Sequence, residues 1–127
     1  FSTAGFEAPK LYEAVAAGAL QKIATFDAQS LSNTVWAFSK ASVAAPALFE
    51  AAAAQVPIRI KAFTPQALAN TVWAYAAAGV EAPVLFDAAA NEASKKIKTF
   101  NPQDLANIVW AYSTAGVEAP ALFEAIA

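Results

Sequence analysis

Three tryptophans, Trp36, Trp73 and Trp110, stand 37 residues apart. The same interval separates Asn33, Asn70 and Asn107, and also Gln29, Gln66 and Gln103. It holds for Leu31, Leu68 and Leu105, for Val35, Val72 and Val109, for Phe26, Phe63 and Phe100, and for the four prolines at 9, 46, 83 and 120. Residues 64–85 laid over residues 101–122 agree without a gap at 16 of 22 positions. A fixed period between about 20 and 50 residues marks an array, because one such unit cannot bury its apolar face without a neighbour. The chain therefore reads as a single helical-repeat array over residues 1–127. Its units are about 1–26 (partial), 27–63, 64–100 and 101–127 (partial). Phe1 shares the register of Phe38, Tyr75 and Tyr112, late in a helix, and Ala127 falls inside the next helix. Arrays end in caps with polar outer faces, so neighbouring repeats are expected beyond this segment.

Each unit is expected to be two antiparallel helices. Helix A spans about Gln29–Lys40, Gln66–Ala77 and Gln103–Thr114. Asp27, Thr64 and Asn101 precede it, and side chains of these types cap the free N–H groups of a helix start. Pro65 and Pro102 follow at the first helical position, where proline's missing N–H costs nothing. Gly79 and Gly116 mark the stop; Gly5 shares their register and Ser42 replaces glycine there. Helix B starts at Pro9, Pro46, Pro83 and Pro120 and ends near Ile23, Ile60 and Ile97, with Pro57 expected to kink or shorten the second one. Phe26, Phe63 and Phe100 then lead into the next helix A as hydrophobic staples. Leu31, Val35 and Phe38 form one apolar stripe of helix A, and Gln29, Asn33, Trp36 and Lys40 lie on the opposite side. A helix with order on both faces is sandwiched. The fold expected is all-α, an α-solenoid of antiparallel helix pairs with a 37-residue repeat.

Composition narrows the function classes. With no Cys, His or Met, the segment is excluded from thiol chemistry, disulfides and imidazole-based catalysis or metal binding. The net charge of −2 is unlike that of a strongly basic nucleic-acid domain. The apolar fraction of 58% is carried largely by alanine and fits an array whose end faces stack on neighbours. No membrane span is expected, since the uncharged stretch from Thr64 to Val80 contains Pro65, Gln66 and Asn70. No nucleophile–base pair, metal cluster or phosphate-binding loop is recognisable, so neither an enzyme nor a cofactor is expected.

The segments LSNTVWAFS (31–39), LANTVWAYA (68–76) and LANIVWAYS (105–113) resemble the helix A core of octatricopeptide and heptatricopeptide repeat proteins. The period matches the heptatricopeptide unit, and the resemblance covers the whole chain. It implies single-stranded RNA binding in mitochondria or chloroplasts, in support of RNA maturation, stability, translation or ribosome assembly. Some members of that group are structural subunits of mitochondrial ribosomes, so protein partners in a larger assembly are implied too.

Three sets of residues are candidates for ligand contact. In the first, Trp36, Trp73 and Trp110 offer flat surfaces to unstacked bases while Asn33, Asn70 and Asn107 reach base edges. The competing reading puts the tryptophans in the inter-repeat core and the asparagines in a hydrogen-bonded ladder between helices. Strict repetition favours that second reading. The second set varies between units, as base-reading positions do: Ser30 and Asp104 share one register with Ala67, and Lys40 and Thr114 share another with Ala77. The third set is a basic edge near the C-termini of helix B. Lys22, Arg59 and Lys96 share a register, Lys61 and Lys98 share another, and Lys95 adds to it. Stacking aligns these cations into a ridge able to follow a phosphate backbone. Cations at helix C-termini are also favoured by the helix dipole alone. The preferred function is single-stranded RNA binding; the alternative is a protein-binding scaffold subunit.

Overall fold

In the computed structural model, residues 2–127 are described, with side chains from Lys10 onward. Phe1, expected in the register of Phe38, Tyr75 and Tyr112, lies outside the described residues. The elements are α1 (Ser2–Lys22), α2 (Ala28–Lys40), α3 (Pro46–Gln55), α4 (Pro65–Ala78), α5 (Pro83–Lys96), α6 (Pro102–Ala115) and α7 (Pro120–Ile126). Short 3-10 turns cover Ile23–Thr25, Pro57–Ala62 and Ile97–Thr99. The fold is all-α; among the described residues no strand forms, and no helix is long and apolar enough to cross a membrane.

Local chemistry sets these boundaries. The side chains of Asp27, Thr64 and Asn101 accept the backbone N–H of Ser30, Ala67 and Asp104, three residues on. The N–H of Ser30 also holds the Asp27 carboxyl below its ordinary range. Pro46, Pro83 and Pro120 open α3, α5 and α7. Pro57 sits two residues past the end of α3 and begins a 3-10 segment that is kinked at Arg59. Lys22, Arg59 and Lys96 all adopt nearly the same conformation, with φ from −112° to −108° and ψ from 5° to 15°. Each therefore leaves the helical path at the same point before Phe26, Phe63 or Phe100.

One expectation about helix starts is corrected. The register predicts a loop at Gly5 and a helix start at Pro9, but α1 runs through both. At positions 42, 79 and 116 the corresponding loop follows a complete helix docked in the fold. Alanine, glutamate, lysine and leucine around Gly5 and Pro9 are strong helix formers, and they carry the helix across both.

The helices pack in two layers. One holds α2, α4 and α6 in sequence, and the other α1, α3, α5 and α7. The apolar stripes of both meet between the layers, where Leu31, Val35, Phe38, Leu48, Phe49, Leu68, Val72, Tyr75, Leu85, Phe86, Ile108, Tyr112 and Leu122 are buried. The contact between successive units is specific. The Tyr75 ring stands edge-on to Phe49 with centroids 4.9 Å apart, and its hydroxyl donates to the Phe49 carbonyl. Tyr112 does the same to Phe86, at 5.1 Å between centroids and 2.6 Å for the hydrogen bond. Burial pushes the pKa of both phenols up.

The loop after α2 carries strain that the other loops avoid. Ser42 has φ 58°, in the left-handed region, while Gly79 and Gly116 occupy the same register at 71° and 69°. A side chain there costs about 1–2 kcal/mol, and glycine returns about 0.5–1 kcal/mol of that as lost chain entropy. Ser42→Gly is therefore expected to raise stability by up to about 1 kcal/mol, read from the midpoint of chemical denaturation. A lowered midpoint would contradict this account of the loop.

Candidate nucleic-acid interface

The side of α2, α4 and α6 turned away from the other layer carries a continuous aromatic row. Trp36 and Trp110 are about 40% exposed, and Trp73 between them is half-buried. The indoles of Trp73 and Trp110 stack, with centroids 5.7 Å apart and planes 29° from parallel. Between Trp36 and Trp73 lies the Lys40 ammonium, 5.7 Å from the first ring centroid and 5.5 Å from the second. Both distances are within reach of a cation–π attraction. Ala77 takes the register of Lys40 in the next unit and leaves its two indoles free to touch.

This geometry corrects the preference for an internal stripe. The tryptophans do not fill an inter-repeat core, and no asparagine ladder joins the helices among the described residues. Asn33 is exposed, and Asn70 and Asn107 are half-buried. The one side-chain bond that any of them makes is local, from Gln103 Nε2 to Asn107 Oδ1 at 3.1 Å within α6. The polar link between α2 and α4 comes from Ser32, a residue the repeat pattern did not single out. Its buried hydroxyl donates to the Ala67 carbonyl at 3.2 Å, beside the Thr71 hydroxyl at 2.7 Å. Strict repetition had argued for burial. A surface row of like side chains lying against one another along an array asks for the same repetition.

A groove of about 500 Å³ opens along the seam between α2 and α4, at their N-terminal ends. Gln29, Asn33, Gln66 and Asn70 line it together with Asp27, Ser32 and Thr64. Asn33 and Trp36, like Asn70 and Trp73, are three residues apart and so neighbours on one helix face. The groove therefore continues into the aromatic row. Of the varying positions, Lys40 belongs to that row, whereas Thr114 is exposed near the loop after α4. Ser30 is exposed, with its backbone capped by Asp27 and its carbonyl accepting the Thr34 hydroxyl. Asp104 is a correction: it is buried, because its register turns toward the neighbouring helix, as the burial of Ala67 also reflects.

The basic edge divides into two kinds of cation. Arg59 donates to the Ala24 carbonyl and to Gln55 Oε1, the latter at 2.6 Å. Lys96 donates to the carbonyls of Lys61 and Phe63, at 3.0 and 2.6 Å, and pairs with the Glu92 carboxylate at 3.1 Å. Ala24 and Lys61 are themselves 37 residues apart, so both cations tie the end of one unit to the end of the preceding one. They are therefore not open rungs of a phosphate ridge, as the aligned register had predicted. The free carbonyls at a helix end are strong acceptors, and a long cation from the next unit reaches them first. Lys22, Lys61, Lys95 and Lys98 remain exposed. Lys61 is next in sequence to Ala62, which lines the groove.

Two packed helical layers, one of them carrying an aromatic and amide-lined face, make this an all-helical protein. A family model described as the RNA-editing substrate-binding complex 6 protein, RESC6, matches residues 1–127, the whole of this chain. The chain belongs to that family. No curated protein and no solved structure matches it.

Proposed function

We propose that the chain binds single-stranded RNA across the face of α2, α4 and α6, as a component of an RNA-editing complex. The observation that carries the proposal is the half-exposed row of Trp36, Lys40, Trp73 and Trp110. Single-stranded binders use aromatic platforms of this kind, since every base has a face to stack. The family description supports the assignment to an editing complex. In this reading the helix pairs form an α-solenoid of 37-residue units of the octatricopeptide or heptatricopeptide kind. Its units span about 1–26, 27–63, 64–100 and 101–127. Exposed Lys22, Lys61, Lys95 and Lys98 hold the phosphates, and Asn33, Asn70 and Asn107 meet base edges. The chain takes no catalytic step and needs no cofactor. Its compartment is the mitochondrion, where RNA-editing complexes typically work.

The test is binding of the full chain to labelled single-stranded RNA across a salt series. Each lysine that contacts phosphate adds about 0.7 to the slope of log affinity against log salt. Lys61→Ala with Lys98→Ala is therefore expected to flatten the slope by roughly 1.4 and to leave the fold intact. Lys96→Ala is expected to lower thermal stability as well, because it removes the bonds to the preceding unit. An unchanged slope in the Lys61/Lys98 double variant would remove these lysines from the interface.

A second reading has its own support. Leu11, Val15 and Leu20 on α1 are exposed, whereas Leu48, Leu85 and Leu122, in the register of Leu11, are buried. An apolar face of this kind suits a protein contact, and it would make the chain a scaffold within the complex. That reading predicts little affinity for free RNA.

A further inference from the structure

The face holds two seams, one between α2 and α4 and one between α4 and α6. The repeat makes them equivalent in sequence, yet the structure builds them differently. In the α4–α6 seam Trp73 and Trp110 stack directly on each other. Gln103 and Asn107 are bonded to each other within α6, and Asp104 is buried at the start of that helix. Between its two indoles that seam is closed. In the α2–α4 seam the indoles of Trp36 and Trp73 are held apart by one ammonium. Ala67 stands in the register of Asp104 and leaves room for the groove. The amides of Gln29, Asn33, Gln66 and Asn70 line the groove, and no hydrogen bond engages them among the described residues.

The geometry points to a nucleotide site confined to the α2–α4 seam: an unpaired RNA base inserts between Trp36 and Trp73, and the Lys40 ammonium moves out to its phosphate. This inference rests on the RNA-binding reading and deepens it. The Lys40 ammonium marks a slot between two π-faces, and a base satisfies both faces by stacking. Asn33 and Asn70 lie one helical turn from the two indoles. Their free amides each offer both a donor and an acceptor to a base edge. Asp27 carries a negative charge at the N-terminal end of the groove, which disfavours a phosphate there. The phosphate of the inserted nucleotide itself therefore lies at the other end, toward Lys40, and Lys61 is left to a neighbouring phosphate. Base stacking and edge reading thus occur at the one seam where both elements are unoccupied.

The experiment is fluorescence anisotropy of a labelled 12-nucleotide single-stranded RNA of mixed sequence, titrated with the full chain. Trp36→Ala and Asn33→Ala alter the open seam alone, and Trp110→Ala and Asn107→Ala alter the closed seam alone. All four side chains are exposed or half-buried, and circular dichroism checks each fold. The open-seam variants are expected to weaken binding by roughly five-fold or more, and the closed-seam pair by clearly less. Equal losses at both seams, or a larger loss at the closed one, would overturn the assignment while leaving RNA binding in place. Failure of the wild-type chain to bind would overturn both.

Discussion

Replacing Tyr75 with alanine is expected to destabilise the fold by about 3–5 kcal/mol, the range for removing a large buried ring. Tyr75 is fully buried. It belongs to α4 but stands edge-on to Phe49 of α3 and donates its hydroxyl to the Phe49 carbonyl. The contact thus joins one unit to the next and bridges the two layers. Alanine would leave a cavity and remove the one side-chain bond to that carbonyl. For a chain of this size the melting temperature should fall by more than about 10 °C. Tyr75→Phe separates the terms: it keeps the ring and should cost only about 0.5–1.5 kcal/mol. The phenol adds a pH dependence of known sign. Its pKa is raised above the ordinary 10.0 by burial, so its neutral form is favoured in the fold. That contribution is fully present below pH 10 and is lost as pH rises above it. A Tyr75→Ala protein that melts within a few degrees of wild type would contradict the packing account.

The largest functional effect is expected at Trp73. This indole faces the Lys40 slot on one side and stacks on Trp110 on the other. Trp73→Ala should weaken single-stranded RNA binding by about 5- to 150-fold, the equivalent of 1–3 kcal/mol for one lost stacking partner. Trp73→Phe keeps a π-face and should recover part of the loss. Because Trp73 is half-buried, the melting temperature must be measured beside the affinity. A folded Trp73→Ala chain that binds RNA as wild type does would take the aromatic row out of the interface.

Much of the fold was legible because local rules and the period agreed. Asp27, Thr64 and Asn101 are caps in sequence and in structure, and Pro46, Pro83 and Pro120 open helices as their register requires. Pro57 ends its helix early for the reason that proline always does: it lacks an N–H and clashes with the preceding turn. Pro9 does not open a helix, because α1 already runs from Ser2 and strong helix formers on both sides carry it across. The face was harder to read. Repetition of tryptophan and asparagine fits an internal ladder and an external row equally, and only the angle between helices decides between them. The cations were ambiguous for a different reason. A lysine or arginine at a helix end satisfies a dipole, a carbonyl or a phosphate. Arg59 and Lys96 find carbonyls 33 to 35 residues away, a distance no local pattern encodes. Ser32 left no repeated trace at all, since Ala69 and Ala106 occupy its register.

The three tryptophans of the chain all lie on the proposed interface, so intrinsic fluorescence reports on that face alone. The most direct test is a titration of the full chain with unlabelled single-stranded RNA, followed by tryptophan emission beside anisotropy of a labelled strand. The account predicts quenching that saturates with the dissociation constant that anisotropy gives, and weaker binding as salt rises. RNA bound by anisotropy without any change in emission would place it elsewhere on the molecule. No binding at low salt would favour the scaffold reading.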